Sequence, residues 1–189
     1  MRAPDWLSHL RTDPRGRPVP FVNRWGRTED PKRVGIQFDP LVGGDAAFYF
    51  DAGETEPDFT SQSMQRQRRC MLLGECQVCG RPVPWRRRRL VISSVSVGVV
   101  QSRGPRQGAV TVSEPWLDQR CAEFAMRYCP ALIRRGQDED LSLIELTSKH
   151  DVEWIVKVAS IDGFPETKQR PVVTWVELAV KTLIVAAPG

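Results

Sequence analysis

The sequence predicts an α+β fold whose centre is a cysteine knuckle, a β-hairpin and a helix, on three observations. Cys76 and Cys79 sit three residues apart with Gly80 behind them, a β-branched run follows at 90–97, and an amphipathic segment at 117–128 carries Cys121 near its start. A Cys-x-x-Cys-Gly turn makes two thiolates converge, because two intervening residues form a tight bend and glycine relaxes the backbone after it. The β-branched run favours a strand, and Leu117, Cys121, Phe124, Ala125 and Tyr128 recur at helical spacing.

Taken in order, the first 60 residues are punctuated by Pro14, Pro18, Pro20, Pro31, Pro40 and Pro57, with candidate strands at 20–25, 33–38 and 46–50. Asp58 or Thr60 is positioned to cap a helix running through Ser63, Gln67 and Cys70 to Leu73, and Gly74 ends it in the left-handed conformation. After the knuckle, the strand at 90–97 and a Gly/Pro-rich turn at 103–108 lead to a second strand at 109–113, a hairpin. The helix at 117–128 breaks before Pro130. Strands at 141–147, 152–159 and 172–185, the last divisible into two, read as a C-terminal antiparallel β-meander. Within it, the alternation of Val152, Trp154, Val156 and Val158 predicts one buried face.

Charge divides the 189 residues unevenly. Residues 1–60 carry 8 basic and 10 acidic side chains, 61–135 carry 14 and 4, and 136–189 carry 5 and 9. This suggests three blocks: an irregular N-terminal β segment, a basic metal-binding module, and an acidic β-rich C-terminal segment. A hydrophobic fraction of 41% suffices to bury a core. No apolar run precedes the first charges and no stretch reaches membrane-spanning length, so a soluble cytoplasmic protein is expected. Five cysteines is an odd number, and in a reducing compartment metal ligation explains their clustering better than disulfides do.

Knuckle, hairpin and helix with a first-turn cysteine is the order of a treble-clef zinc finger, which predicts Zn2+ held by Cys76, Cys79 and Cys121. The fourth ligand is open. Asp118 shares a helix face with Cys121 and offers a carboxylate, but a first-turn acid is also favoured by the helix dipole alone. Cys70 sits on the preceding helix, where a small buried hydrophobe is the more frequent use. Cys129 is eight residues beyond Cys121, about 12 Å along an unbroken helix, which sets it aside. His9 and His150 are remote in sequence, although folding can bring either close.

No catalytic constellation is read. A three-cysteine set does not suggest a water-bearing catalytic zinc, and the central block has no histidine to serve a metal-dependent nuclease. Ser148-Lys149-His150-Asp151 juxtaposes triad-type residues, but consecutive side chains do not face one another, so it reads as a polar turn. No Gly-rich phosphate motif is present. Trp85 with Arg86, Arg87, Arg88 and Arg89 forms a basic patch suited to nucleic acid or an acidic protein partner, or simply to solvent.

Arg69-Cys70, Cys76-Gln77-Val78-Cys79-Gly80, the string Glu114-Pro115-Trp116-Leu117-Asp118-Gln119-Arg120-Cys121-Ala122-Glu123 and Tyr128-Cys129-Pro130-Ala131-Leu132 together resemble a group of small cysteine-rich proteins of actinobacterial phages. Pro4-Asp5-Trp6-Leu7 and Gly16-Arg17-Pro18-Val19-Pro20-Phe21 fit the same group, so the resemblance covers residues 1–135. That group often has a histidine three residues before the helix cysteine, where this chain has Asp118. The departure supports Asp118 at a ligand position and implies weaker zinc binding, since a carboxylate is a harder ligand. The chain also looks like the recombination directionality factors of Streptomyces temperate phages. That resemblance implies a non-enzymatic protein in the bacterial host cytoplasm that binds a large serine integrase and switches it to prophage excision, contacting DNA through its partner. The acidic C-terminal part would be a second interaction surface. A direct DNA-binding regulator, or an anti-defence protein binding a host nucleic-acid enzyme, needs the same surface.

Overall fold

A computed structural model describes residues 4–26, 34–50, 56–93, 110–138, 141–146, 149–161, 163–180 and 184–185. The protein is a mixed α+β structure with several sheets and few helices. Its chain packs as two units, each assembled from segments distant in sequence rather than from consecutive blocks.

The first unit comprises Met1–Leu73, Gln77–Gly80 and Val156–Val176. A short 3-10 turn (Asp5–Leu7) precedes β1 (Asn23–Trp25), β2 (Val34–Asp39), β3 (Gly44–Tyr49), β4 (Pro57–Gln62) and α1 (Met64–Leu73). β2 and β3 form an antiparallel hairpin in register from Val34↔Tyr49 to Asp39↔Gly44, and β1 pairs with β4. The strands expected at 33–38 and 46–50 are therefore present, and the one at 20–25 is trimmed to three residues. Asp58 and Thr60, expected to cap a helix, instead lie in β4, and the helix begins only at Met64. The first half of β10 (Val172–Val180) lies parallel to β3 at Val173↔Ala46.

The core of this unit is unusually polar. Arg68 is fully buried on α1, donating through Nε to Asp39 at 2.8 Å and through Nη1 to the carbonyls of Ala47 at 2.7 Å and Thr174 at 3.0 Å. Gln67 does for β10 what a neighbouring strand would do: its amide donates to the Val176 carbonyl at 2.6 Å and accepts from the Val176 N–H at 3.2 Å. These hydrogen bonds are what makes such burial tolerable.

The second unit comprises Gly74–Cys76, Arg81–Ile155 and Glu177–Gly189. Its sheet has the strand order β11 (Ile184–Val185), β8 (Leu141–Glu145), β5 (Arg88–Ser93), β7 (Leu117–Asp118). The short strand β6 (Val110–Val112) pairs with the second half of β10. α2 (Gln119–Tyr128) follows β7, and α3 (Pro130–Asp138) begins at the proline that ends α2. The break at Pro130 is thus real, but it also starts a helix, because proline's missing N–H and fixed φ suit the first helical position. That second helix was not expected.

The expected hairpin at 90–97 and 109–113 falls largely outside the described residues, which leave out 94–109; the described parts of its arms pair β5 with β7 and β8, and β6 with β10. The C-terminal strands do not form a meander, since β8 joins β5 while β9 (Val152–Ala159) joins β10. Strand periodicity identifies strands, but pairing is decided by long-range burial that local pattern does not encode. The predicted buried face of β9 is also overturned: Val152 is buried, but Trp154, Val156 and Val158 are 37%, 48% and 57% exposed. No helix among the described residues is long and apolar enough to cross a membrane.

Candidate metal centre

The knuckle is built by glycines and backbone hydrogen bonds. α1 ends at Gly74, whose φ of +71° turns the chain, and a side chain there would strike the guanidinium of Arg88. The N–H of Val83 then bonds the Gly74 carbonyl at 2.9 Å and that of Cys76 bonds the Arg81 carbonyl at 2.8 Å, closing a small loop. Gly80, at φ +69°, completes the bend, and a Cβ there would stand 2.8 Å from the Phe21 ring. The N–H groups of Phe21 and Val22 bond the carbonyls of Val78 and Gln77 at 2.9 and 3.0 Å.

Cys76, Cys79 and Cys121 are buried, and their sulfurs all lie within 4.8 Å of one another. None is in a disulfide. Four thiolates around one zinc at about 2.3 Å would stand roughly 3.8 Å apart, so three sulfurs at this spacing can converge on one metal ion with small side-chain adjustments. The backbone N–H of Asp118 donates to the Cys76 sulfur at 3.3 Å. Such a donor stabilises a thiolate over a thiol and suits the donor set to a metal. Cys121 reaches the cluster because β5 pairs with β7 at Arg88↔Asp118 and Arg89↔Leu117, which sets α2 down with its first turn facing the knuckle.

Asp118 stands outside the sulfur cluster. Its carboxylate accepts the Arg120 N–H at 3.1 Å as the N-cap of α2, and pairs with Arg87 at 2.8 Å. This is the helix-terminus role weighed against ligation, and β-strand geometry at Asp118 rather than a helical turn produces it. Cys70 is buried on α1 and Cys129 is the C-cap of α2; neither joins the three sulfurs. His150 lies in a 3-10 turn (Lys149–Asp151), whereas His9 arrives at the knuckle, its Nε2 donating to the Cys79 carbonyl at 2.8 Å. Nothing in the spacing of His9, 70 residues away, signals that approach.

The arginine run divides by strand geometry. Trp85, Arg86 and Arg87 form a 3-10 turn, and Arg88 and Arg89 begin β5. Arg88 is half-buried, its guanidinium 4.5 Å from the Trp85 ring and 5.0 Å from that of Trp116, with Nε bonded to the Val83 carbonyl at 3.1 Å. Burial pulls its pKa below the ordinary arginine value. Arg89 is buried, pairs with Glu145 at 3.0 Å across β8, and donates to the carbonyls of Arg86 and Arg88. Arg86 and Arg87 are exposed, as are Arg81 and Arg120. Trp116, fully buried edge-on to Trp85 at 5.4 Å, is a part of this cluster the sequence reading did not single out; its position just before Leu117 and Asp118 was the available signal. Compared with protein-family models, curated proteins and solved structures, the chain matches none of them.

Proposed function

We propose that the protein is a non-enzymatic phage accessory factor, built around a structural zinc centre, that binds a DNA-engaged partner. The most concrete form of that reading is a recombination directionality factor that binds a large serine integrase and turns it to prophage excision. The observation that carries it is the donor set: three buried thiol side chains converge with a backbone N–H on one sulfur. Thiolate-rich sites of this kind hold structure together, and zinc is the metal that suits them. In this reading the knuckle, β5, β7 and α2 form a treble-clef-like module whose second arm is β7.

The outer half of the arginine run then supplies the contact. Arg86 and Arg87, with Arg81 and Arg120, give the second unit an exposed basic surface suited to an acidic partner or to phosphates, while Arg88 and Arg89 serve the fold. The test is co-purification with a large serine integrase, together with an excision assay. Reversing Arg86 and Arg87 to Glu is expected to weaken the complex at least tenfold, whereas Arg87→Glu alone, which also breaks the pair with Asp118, lowers the unfolding midpoint and serves as the stability control. Undiminished capture and excision remove this surface from the mechanism. A mobility shift on DNA without integrase, falling steeply with salt, replaces the reading with direct DNA binding.

A further inference from the structure

We infer that His9 is the fourth ligand of the metal held by Cys76, Cys79 and Cys121. The inference rests on reading the three cysteines as a metal centre and adds the residue that closes it. A structural zinc site takes four protein donors in a tetrahedron, so three sulfurs leave one vertex. Asp118 is engaged as a helix cap and with Arg87, Cys129 ends α2 eight residues beyond Cys121, and Cys70 stands apart from the cluster.

The ring nitrogens of His9 also stand outside the group of donor atoms within 4.8 Å of one another, but its ring, unlike the other candidates, bonds the backbone of a sulfur residue. Its Nε2 is 2.8 Å from the carbonyl oxygen of Cys79, itself one of the three sulfur residues. The residue is presented by an ordered turn and not by a loose tail: Leu7 is buried, its N–H bonds the Pro4 carbonyl at 2.9 Å, and Leu10 bonds the Leu7 carbonyl at 2.9 Å. The same stretch of chain runs on to Phe21 and Val22, whose N–H groups bond the carbonyls of Val78 and Gln77 inside the knuckle. The N-terminal segment is thus fixed to the knuckle at two places, and His9 is one of them. The residue is exposed. Rotation about its side-chain torsions exchanges the backbone carbonyl for the metal, and imidazole is a ligand zinc accepts readily beside thiolates.

The experiment loads the full-length protein with cobalt(II) alone and with zinc alone. Wild type is expected to show the visible bands of a tetrahedral cobalt site with three sulfurs and one nitrogen. On zinc loading, the His9 ring nitrogens should shift in two-bond 1H–15N spectra. His9→Ala is expected to alter the cobalt bands and to lower zinc affinity by more than the roughly 10–100-fold that loss of an outer-shell partner costs. His9→Cys should restore a tetrahedral spectrum with stronger sulfur-to-metal charge transfer. His9 ring nitrogens that do not shift on zinc loading of the wild type, or cobalt bands unchanged in His9→Ala, overturn the assignment while leaving the three-cysteine centre standing. A wild type that binds neither metal overturns both.

Discussion

Two arginines show how differently the two units are held. Arg68 in the first unit is fully enclosed, and its fixed fork is matched by one carboxylate and two carbonyls. Arg88 in the second unit is half-buried between two tryptophan faces with a single carbonyl partner, beside a sulfur cluster. A buried charge held by several partners is costly to remove, because those partners are left desolvated and unpaired. Stacked aromatic and guanidinium planes lose their contacts more gradually. The polar core around Arg68 should therefore be sensitive to single polar deletions, and the cysteine knuckle with α2 to the metal.

The largest expected effect breaks the first side of that contrast. Arg68→Ala strands Asp39 and the carbonyls of Ala47 and Thr174, and is expected to cost about 3–5 kcal/mol in denaturant unfolding. A loss under about 1 kcal/mol would show that the polar core is not what holds the unit. Next, stripping the metal with a chelator should lower the stability of the zinc-saturated protein by about 2.7 kcal/mol at a free zinc concentration of 100 times Kd. In hydrogen exchange, the lost protection should lie in the knuckle and α2, with β2 and β3 unaffected. If β2 and β3 lose protection equally, the contrast fails.

Gly74→Ala combines a left-handed backbone with a clash against Arg88, and is expected to cost about 2 kcal/mol while perturbing the near-ultraviolet signal of Trp85 and Trp116. Asp118→Ala should cost about 1 kcal/mol as a lost helix cap and leave the metal stoichiometry unchanged. A stoichiometric loss of metal would restore Asp118 as a ligand.

The smallest effect concerns Asp13. Burial alone would raise the pKa of its carboxyl. The backbone N–H of Arg17, its guanidinium and the N–H of Arg15 outweigh burial and hold the group below the ordinary aspartate value. A depressed folded-state pKa contributes stability above the unfolded value, near 3.9, that is lost as pH falls through the folded one. Wild type should therefore lose more stability than Asp13→Asn as the pH drops below about 5, measured by unfolding at each pH.

Much of the local structure was legible. The strands β2 and β3 and the end of α1 at Gly74 follow from local composition and from the left-handed turn glycine permits. The three cysteines were legible too, because two are joined by a three-residue spacing and the third begins a helix with a clear apolar face. β9 shows why the rest was not. Its alternation is genuine, yet Trp154, Val156 and Val158 lie on an exposed face, since period two specifies that residues share a face and not which face is covered. The arginine run misled in the opposite sense: four consecutive charges read as one solvated patch, while strand pleating and a preceding 3-10 turn send them to different environments.

The sequence by itself determined where β2, β3, α1, most of α2 and the sulfur donors lie, because these depend on spacing over a few residues and on the chemistry of single side chains. Only the tertiary structure decided which strands pair, that Asp118 caps a helix instead of joining the sulfurs, that Arg88 and Arg89 turn inward, and that His9 comes to rest against the knuckle. Those outcomes depend on contacts between residues tens of positions apart. Burial and hydrogen-bond satisfaction over the whole chain select them, and no local pattern records that selection.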